Sequence, residues 1–253
     1  MDGVEAAAPT SCELIEWDRA GNRPSESASA SMLDWSPLVE GNRALRLLCI
    51  GAHSDDLEIG CGGTVMSWLE SPRPVDVTWV VLTAQDERAR EARRSARAML
   101  RRAANADVVL GEFRDGFFPA QYEVLKAFFE LVKKRCVPDI VLTHRLEDRH
   151  QDHRLVSELT WNTWRSQLIL EYEILKYEGD LGQPNVFVPL TSAIVRRKAA
   201  HLARHFATQR SKDWFSGDSF TALARLRGLE CRSPSGHAEA FHARKLKLVS
   251  HFV

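Results

Sequence analysis

From about residue 44 onward, short runs of consecutive hydrophobic residues alternate with longer segments in which hydrophobic residues recur every three or four positions. The runs at residues 44–51 and 75–83 are typical of strands buried on both faces of a sheet. The segments at residues 86–104 and 122–136 have the spacing of amphipathic helices. This alternation predicts a single α/β domain, with a Rossmann-like, doubly wound, mainly parallel sheet and helices on both faces.

The rest of the chain continues the alternation, but its start has a different composition. We predict further strands at residues 107–110, 138–143, 168–177 and 185–189, and further helices at residues 62–70, 152–165, 192–208 and 219–228. Residues 1–43 are rich in Ala, Ser and Glu and contain Pro9, Pro24 and Pro37. We therefore expect residues 1–43 to form a mobile or loosely attached extension and residues 44–253 to form the domain.

Composition limits the kinds of partner that the protein is expected to bind and the cellular compartment in which it is expected to work. The 34 basic and 34 acidic residues cancel, so the chain lacks the positive surplus with which proteins bind nucleic acid. The five cysteines form no Cys-x-x-Cys pair, as in cytoplasmic proteins whose thiols stay reduced. No apolar run approaches the roughly 18 residues of a membrane span, and no secretory signal is recognisable. We expect a cytoplasmic protein without nucleic-acid or membrane partners; whether it is a homo-oligomer stays open.

Two polar clusters follow predicted strands at the point where each strand ends. His53, Asp55 and Asp56 come directly after the strand at residues 44–51, and His144 to His153 follow the strand at residues 138–143. The carboxyl ends of parallel strands meet at one edge of the sheet, where ligands bind in doubly wound folds. We therefore expect the two clusters to lie together.

The residue types in these clusters suit a catalytic metal site. Such sites usually have three protein ligands and one open position, and His53, Asp56 and His153 can supply a His2Asp set. Asp55 is then placed to act as general base on a water molecule. His150, three residues before His153, could stabilise an oxyanion or donate a proton to the leaving amine. A further carboxylate, Asp152, could orient a histidine from behind the metal.

Each feature also has a purely structural interpretation. The Asp55-Asp56 pair could be a helix N-cap, and His144 could be solvated or salt-bridged. The glycines in Gly60-Cys61-Gly62-Gly63 lack the spacing and the lysine of phosphate-binding loops. Trp214 and Phe215 could stack on a sugar ring, although core packing is favoured.

The two clusters resemble the motifs Ala-His-Pro-Asp-Asp and His-x-Asp-His of the PIG-L/LmbE family of zinc-dependent N-deacetylases. They stand here as Ala52-His53-Ser54-Asp55-Asp56 and His150-Gln151-Asp152-His153. Other segments similar to the family pattern are Arg88-Ala89-Arg90-Glu91, Ala207-Thr208-Gln209, and Arg227-Gly228 with His237-Ala238-Glu239-Ala240-Phe241. Two positions depart from the pattern: Ser54 replaces the usual proline, and Glu58 follows the Asp pair only after Leu57, which leaves the role of Glu58 open.

The resemblance implies a hydrolase with a Rossmann-like fold that removes an acetyl group from an N-acetylated amino sugar, such as N-acetylglucosamine, or from a glycoconjugate. It implies Zn2+ as cofactor, held by His53, Asp56 and His153, with Asp55 as base and His150 as the polarising or acid residue. Arg88 would contact the substrate. Fe2+ or Mn2+ could also occupy a His2Asp site.

Two alternatives to a deacetylase stay open at the level of sequence. One is an amidase that cleaves a sugar-linked thiol or its conjugate, because both reactions share the same tetrahedral chemistry. The other is a non-catalytic sugar-binding module on the same fold, which the intact Asp55 disfavours because binding alone needs no base. Specificity is expected to lie in loops such as residues 113–121 and 176–189.

Overall fold

The computed structural model describes residues 43–247. The predicted extension at residues 1–43 lies outside the described residues except for Arg43, and so it stays a prediction. Strands and helices alternate along most of the described chain. The strands are β1 (Leu45–Gly51), β2 (Val75–Val81), β3 (Asn105–Leu110), β4 (Ile140–His144), β5 (Leu168–Tyr172), β6 (Val186–Pro189) and β7 (Ala238–His242). The helices are α1 (Asp56–Gly60), α2 (Gly62–Trp68), α3 (Asp86–Met99), α4 (Tyr122–Arg135), α5 (Gln151–Thr163), α6 (Ser192–His205) and α7 (Gly217–Glu230).

Within residues 43–247 the strands form one sheet in the order β3-β2-β1-β4-β5-β7-β6. β1 to β5 run parallel to one another, whereas β7 runs antiparallel between β5 and β6. The predicted fold class, a mainly parallel doubly wound sheet, is confirmed. β7 was not predicted as a strand, because its sequence Ala-Glu-Ala-Phe-His contains no β-branched residue.

Hydrophobic side chains pack on both faces of the sheet. In β1, Leu47 and Cys49 join the core on one face, together with residues of α1, α2, α3, α6 and α7. The alternate residues Leu48 and Ile50 join the core on the other face, with residues of α4 and α5. This burial on both sides explains the uninterrupted hydrophobic run of β1. No helix in the described part of the chain has the length and apolar character needed to cross a membrane.

Two predicted elements end five residues earlier in the structure than the sequence indicated. The helix predicted at residues 86–104 ends at Met99, and the backbone N–H of Ala104 already donates to the carbonyl of Val75 beside β3. The strand predicted at residues 168–177 ends at Tyr172. Beyond it, Glu173 and Lys176 form buried ion pairs with distant residues, and such tertiary contacts leave no local pattern in the sequence.

The sheet order brings the two polar clusters together. β1 and β4 are adjacent and parallel, with Leu47 opposite Ile140 and Cys49 opposite Leu142. Their carboxyl ends therefore lie side by side, and the loops that follow them converge above the same edge of the sheet.

Candidate active site

Three side chains from the two clusters converge above the ends of β1 and β4. His53 Nδ1 lies 3.4 Å from Asp56 Oδ2 and 3.1 Å from His153 Nε2, and His153 Nε2 lies 3.6 Å from Asp56 Oδ2. All three residues are buried. A tetrahedral metal with bonds of about 2.0–2.2 Å keeps its ligand atoms roughly 3.3–3.6 Å apart. The spacing of this donor triangle (His53 Nδ1, Asp56 Oδ2 and His153 Nε2) therefore fits a divalent metal.

The second ring nitrogen of each histidine faces a carboxylate. His153 Nδ1 lies 2.9 Å from Asp148 Oδ2, while His53 Nε2 lies 3.1 Å from Asp115 Oδ1 and 3.3 Å from Asp152 Oδ2. Because an ionised carboxylate only accepts hydrogen bonds, these nitrogens carry protons. The other nitrogen of His153 then presents a lone pair to the donor triangle, and that of His53 does so once this ring is neutral. Two ring nitrogens and a carboxylate oxygen at this spacing need a cation between them, either a proton or a metal ion.

The surroundings hold Asp56 and His153 in the forms that bind metal, and His53 in the protonated form that a metal ion would displace. Burial opposes protonation of His53, but Asp56, Asp115 and Asp152 outweigh it and hold the pKa of this ring well above its usual range. Burial opposes ionisation of Asp56, but His153, His144 and His53 outweigh it and hold the pKa of this carboxyl well below its usual range. Burial, together with His144, lowers the pKa of His153 to about 3. Asp56 is therefore an anion and His153 a neutral imidazole at neutral pH, which are the forms that coordinate a metal.

Asp55 lies beside the donor triangle and lines the same pocket. Its Oδ1 accepts a hydrogen bond of 3.0 Å from Arg88 Nη2. Asp55 occupies the N-cap position of α1, but its side chain makes no capping hydrogen bond, so the helix-cap interpretation is wrong for this residue. Burial and the charge of Asp56 raise the pKa of Asp55 against the effect of Arg88. A carboxylate with these properties can act as a general base.

His150 stands over the donor triangle, with its ring centroid 4.9 Å from that of His53 and 4.6 Å from that of His153. It is the N-cap of α5, where the backbone N–H of Asp152 donates to His150 Nδ1 over 3.3 Å. The proton of the neutral ring is therefore on Nε2. Burial, and then the charge of His53, lowers the pKa of His150, so the ring is a neutral N–H donor at neutral pH. This state suits an oxyanion contact better than proton donation.

Asp152 contacts a histidine, as predicted for a supporting carboxylate, and the ring that it contacts belongs to His53. Its two oxygens also accept hydrogen bonds from the backbone N–H groups of Gly116, over 2.7 Å, and Phe118, over 3.0 Å. Asp152 thereby ties the loop after β3 to the donor triangle. This loop carries Asp115, whose carboxylate lies 3.6 Å from Arg88.

Three residues close to the donor triangle were not predicted to have a role in the site. Asp148 lies two residues before His150 in a run of charges that the spacing alone could not rank. Asp115 lies on a loop without periodicity. His144 is fully buried: its Nε2 accepts a 2.9 Å hydrogen bond from the backbone N–H of Ala52 and lies 3.1 Å from Asp56 Oδ2. Its position at the end of β4 was the one available signal.

The glycine-rich segment has a packing role. The backbone N–H groups of Gly63 and Thr64, at the start of α2, donate to the carboxylate of Glu239 over 2.8 and 2.6 Å. A Cβ atom on Gly63 would lie only 2.8 Å from Glu239 Oε1, which explains the glycine. Because an internal carboxylate occupies this helix end, the segment offers no phosphate site.

Glu58 connects three helices underneath the site. It is fully buried and does not line the pocket. The hydroxyl of Ser95 in α3 donates to Glu58 Oε1, and Ser95 Oγ lies 2.7 Å from His201 Nε2 in α6. Burial raises the pKa of Glu58 to about 8, whereas burial lowers the pKa of His201 to about 4. These contacts indicate a structural role for Glu58.

The donor triangle lies at the base of an open pocket of about 270 Å³. Its lining residues are His53, Asp55, Asp56, Arg88, Asp115, His150, His153, Ile174, Lys176, Tyr177, Glu178, Gln209, Lys212 and Trp214. Trp214 and Phe215, for which the sequence allowed either sugar stacking or core packing, differ in their positions in the structure. Phe215 is buried in the core as expected, whereas Trp214 is half-buried and reaches the pocket.

Comparisons with known proteins agree with the motifs. The family model "PIG-L: GlcNAc-PI de-N-acetylase" matches residues 48–164. The chain is 26% identical over 187 residues to the uncharacterized deacetylase YaiS of Escherichia coli K12, a match that covers 69% of this chain and 97% of YaiS.

Solved structures share the fold. The N,N'-diacetylchitobiose deacetylase from Pyrococcus horikoshii matches with a TM-score of 0.59 at 21% identity, over 83% of this chain and 86% of that one. GalB, the 4-carboxy-2-hydroxymuconate hydratase from Pseudomonas putida KT2440, matches with a TM-score of 0.65 at 18% identity, over 83% of this chain and 100% of that one. Both the family model and YaiS carry deacetylase names, and the resemblance drawn from the motifs is confirmed. The similarity to the PIG-L/LmbE family thus covers residues 48–164 of this chain.

Proposed function

We propose that this protein is a metal-dependent N-deacetylase that removes the acetyl group from an N-acetylated amino sugar or glycoconjugate. The observation that carries the proposal is the donor triangle with Asp55 beside it, at the base of an open pocket. A shared fold could not carry it, because GalB has this fold and is named as a hydratase. The deacetylase names of the family model, of YaiS and of the Pyrococcus horikoshii enzyme support the reaction class.

In this proposal His53, Asp56 and His153 hold the metal, and Zn2+ is the first candidate because imidazole and carboxylate ligands suit it. When bound, a divalent metal acts as a Lewis acid that lowers the pKa of water and polarises a carbonyl group. Asp148 and Asp152 fix the two histidine rings in the orientation that this role requires.

Asp55 acts as the general base. It takes one proton from the attacking water as the new C–O bond to the acetyl carbon forms. It then gives this proton to the amide nitrogen as the C–N bond breaks, which leaves a free amine and acetic acid; the acid then loses its own proton to become acetate. The 3.0 Å hydrogen bond from Arg88 keeps the Asp55 carboxylate in one orientation.

His150 stabilises the tetrahedral state. Its Nε2–H is free to donate because Nδ1 is occupied by the backbone N–H of Asp152. A donor aimed at the developing oxyanion is typically worth a factor of about 100–1,000 in rate. Arg88 and Asp115, which lie 3.6 Å apart at the pocket wall, would together bind hydroxyl groups of the sugar.

The test is acetate release by purified, metal-loaded protein from a panel of N-acetylated sugars and sugar conjugates, with metal content measured on the same samples. We expect release by the wild type, and none above background by Asp55→Ala, with about one metal per chain in both proteins. Full activity of Asp55→Ala would refute the assignment of the base. Bound metal without acetate release from any member of the panel would refute the proposed reaction, and would favour the amidase or the binding module instead.

A further inference from the structure

Two aromatic side chains at the mouth of the pocket are not used by the chemistry at its base. Tyr177 is 71% exposed, the highest value among the exposed large apolar side chains of residues 43–247. Trp214 is half-buried and lines the same pocket. Exposed aromatic rings at the rim of a binding pocket are available to stack on a ligand.

Tyr177 is carried by a fixed turn. The neighbouring Lys176 Nζ lies 2.5 Å from Asp180 Oδ2 and 3.1 Å from Asp148 Oδ2, and both of these carboxylates are buried. Arg145 Nη1 donates to the carbonyl of Asp180 over 3.0 Å. A ring held on a rigid turn loses little conformational entropy when a ligand binds to it.

Trp214 is held by contacts of its own. Its ring packs edge-on against the buried Phe215, with centroids 5.6 Å apart and an angle of 73° between the rings. Lys212 Nζ lies 5.5 Å from the Trp214 ring centroid. Trp214 is therefore anchored in the core while part of its surface faces the pocket.

The chemistry around the two rings indicates the class of ligand. Among the described residues, Ile174 is the one aliphatic side chain that lines the pocket, whereas Glu178, Gln209 and Lys212 are polar. A sugar ring has an apolar face for an aromatic side chain and hydroxyl groups for such polar neighbours. An alkyl chain would need aliphatic contacts that this lining does not supply.

We propose that Tyr177 and Trp214 form an outer subsite that binds a second sugar ring. It follows that this enzyme prefers an N-acetylated sugar linked to another sugar over the free monosaccharide. The proposal rests on the proposed deacetylase function and specifies its substrate class.

The test compares kcat/KM for acetate release from N-acetylglucosamine, N,N'-diacetylchitobiose and octyl N-acetylglucosaminide. We expect the disaccharide to be the best substrate, and Tyr177→Ala and Trp214→Ala each to lower its kcat/KM by about 3- to 10-fold, through KM. The value for N-acetylglucosamine should not change. Tyr122→Ala, which removes an aromatic residue that is 43% exposed but outside the pocket, is the matched control.

An equal loss on monosaccharide and disaccharide, or no loss, would overturn the proposal, and so would octyl N-acetylglucosaminide as the preferred substrate. Calorimetric binding of deacetylated chitobiose and glucosamine to the metal-free protein decides the subsite without turnover. Chitobiose should bind more tightly, and Tyr177→Ala should remove the difference. If no acetate is released but this difference is found, the reaction is wrong and the subsite stands; equal binding of both sugars overturns the subsite.

Discussion

The protein contains two buried clusters of charged residues that differ in where their partners come from. Around Glu239 every charge is satisfied within the chain: the carboxylate accepts from two backbone N–H groups and lies 2.6 Å from Lys198 Nζ. Nearby, Arg227 is paired with Glu173 at 2.6 Å. In the donor triangle, by contrast, two imidazole nitrogens and a carboxylate oxygen face one another.

The difference shows that burial of charge alone does not indicate function. Both clusters border a cavity, about 20 Å³ near Lys198 and Glu239 and about 270 Å³ above the donor triangle. The cluster around Glu239 holds α2, α6 and β7 together and needs nothing from outside. The donor triangle is complete only with an added cation. Substitutions in the donor triangle should therefore weaken metal binding, whereas substitutions in the cluster around Glu239 should lower stability and leave metal binding unchanged.

The largest effect is expected from Asp56→Ala, which removes the anionic member of the donor triangle. Metal affinity should fall by at least roughly 1,000-fold, more than the 10–100-fold loss typical of supporting carboxylates. Competition with a chelator measures it. Asp107→Ala, at an exposed carboxylate on β3, is the control and should bind metal like the wild type. Unchanged affinity in Asp56→Ala would show that Asp56 is not a ligand.

Glu239→Gln should lower the stability of the protein and leave its metal binding unchanged. It leaves the buried ammonium group of Lys198 without its counter-charge, so the free energy of unfolding should fall by about 3 kcal/mol in a urea titration. Metal content of the folded protein should stay at about one per chain. Glu230→Gln, at a partly exposed carboxylate, should cost less than about 1 kcal/mol. Loss of metal by Glu239→Gln without loss of stability would contradict the division between the two clusters.

Asp148→Asn tests the support of the donor triangle. The amide can no longer hold the proton of His153 Nδ1 as a carboxylate does, so Nε2 presents its lone pair less often. We expect metal affinity to fall by about 10–100-fold, with zinc loading restored at higher metal concentration. An affinity equal to that of the wild type would show that Asp148 does not orient His153.

The smallest effect is the change of stability with pH that arises from His201, a residue that belongs to neither cluster. Its pKa is about 4 in the folded protein, below the ordinary value of about 6.5 that holds in the unfolded chain. The unfolded state therefore binds more protons between these values, and the stability present above pH 6.5 is lost as pH falls towards 4. Glu58, with a pKa of about 8, contributes the opposite slope.

Urea titrations at pH 5 and pH 7 compare the wild type with His201→Gln. The wild type should lose more stability at pH 5 than the variant does. The same pH dependence in both proteins would mean that the His201 ring is already protonated, or free to be protonated, in the folded state.

Much of the fold followed from periodicity. The runs of hydrophobic residues located β1 to β6, and the position of polar clusters after β1 and β4 correctly predicted that His53 and His153 would meet. These features are local in sequence, and the parallel sheet converts them into proximity. The exact ends of α3 and β5 were not predictable, because contacts with distant residues decide them.

The carboxylates that support the histidines of the donor triangle also could not be predicted from sequence patterns. Asp148 supports His153 only because α5 turns the His153 ring back towards it, and Asp115 reaches His53 from the loop after β3. Neither aspartate has a spacing in the sequence that distinguishes it from the other aspartates of the chain. β7 was missed because Ala238 and Ala240 carry no β-strand preference, although the strand pairs with both β5 and β6 in the sheet.

The central claim is that the donor triangle is a metal site. An anomalous difference map from crystals of zinc-loaded protein, recorded at the zinc absorption edge, tests it most directly. We predict one peak per chain at about 2.0–2.2 Å from His53 Nδ1, an Asp56 carboxylate oxygen and His153 Nε2, with Asp55 adjacent but not bound. A peak bound by other residues, or zinc-loaded crystals without a peak between these three side chains, would contradict the claim.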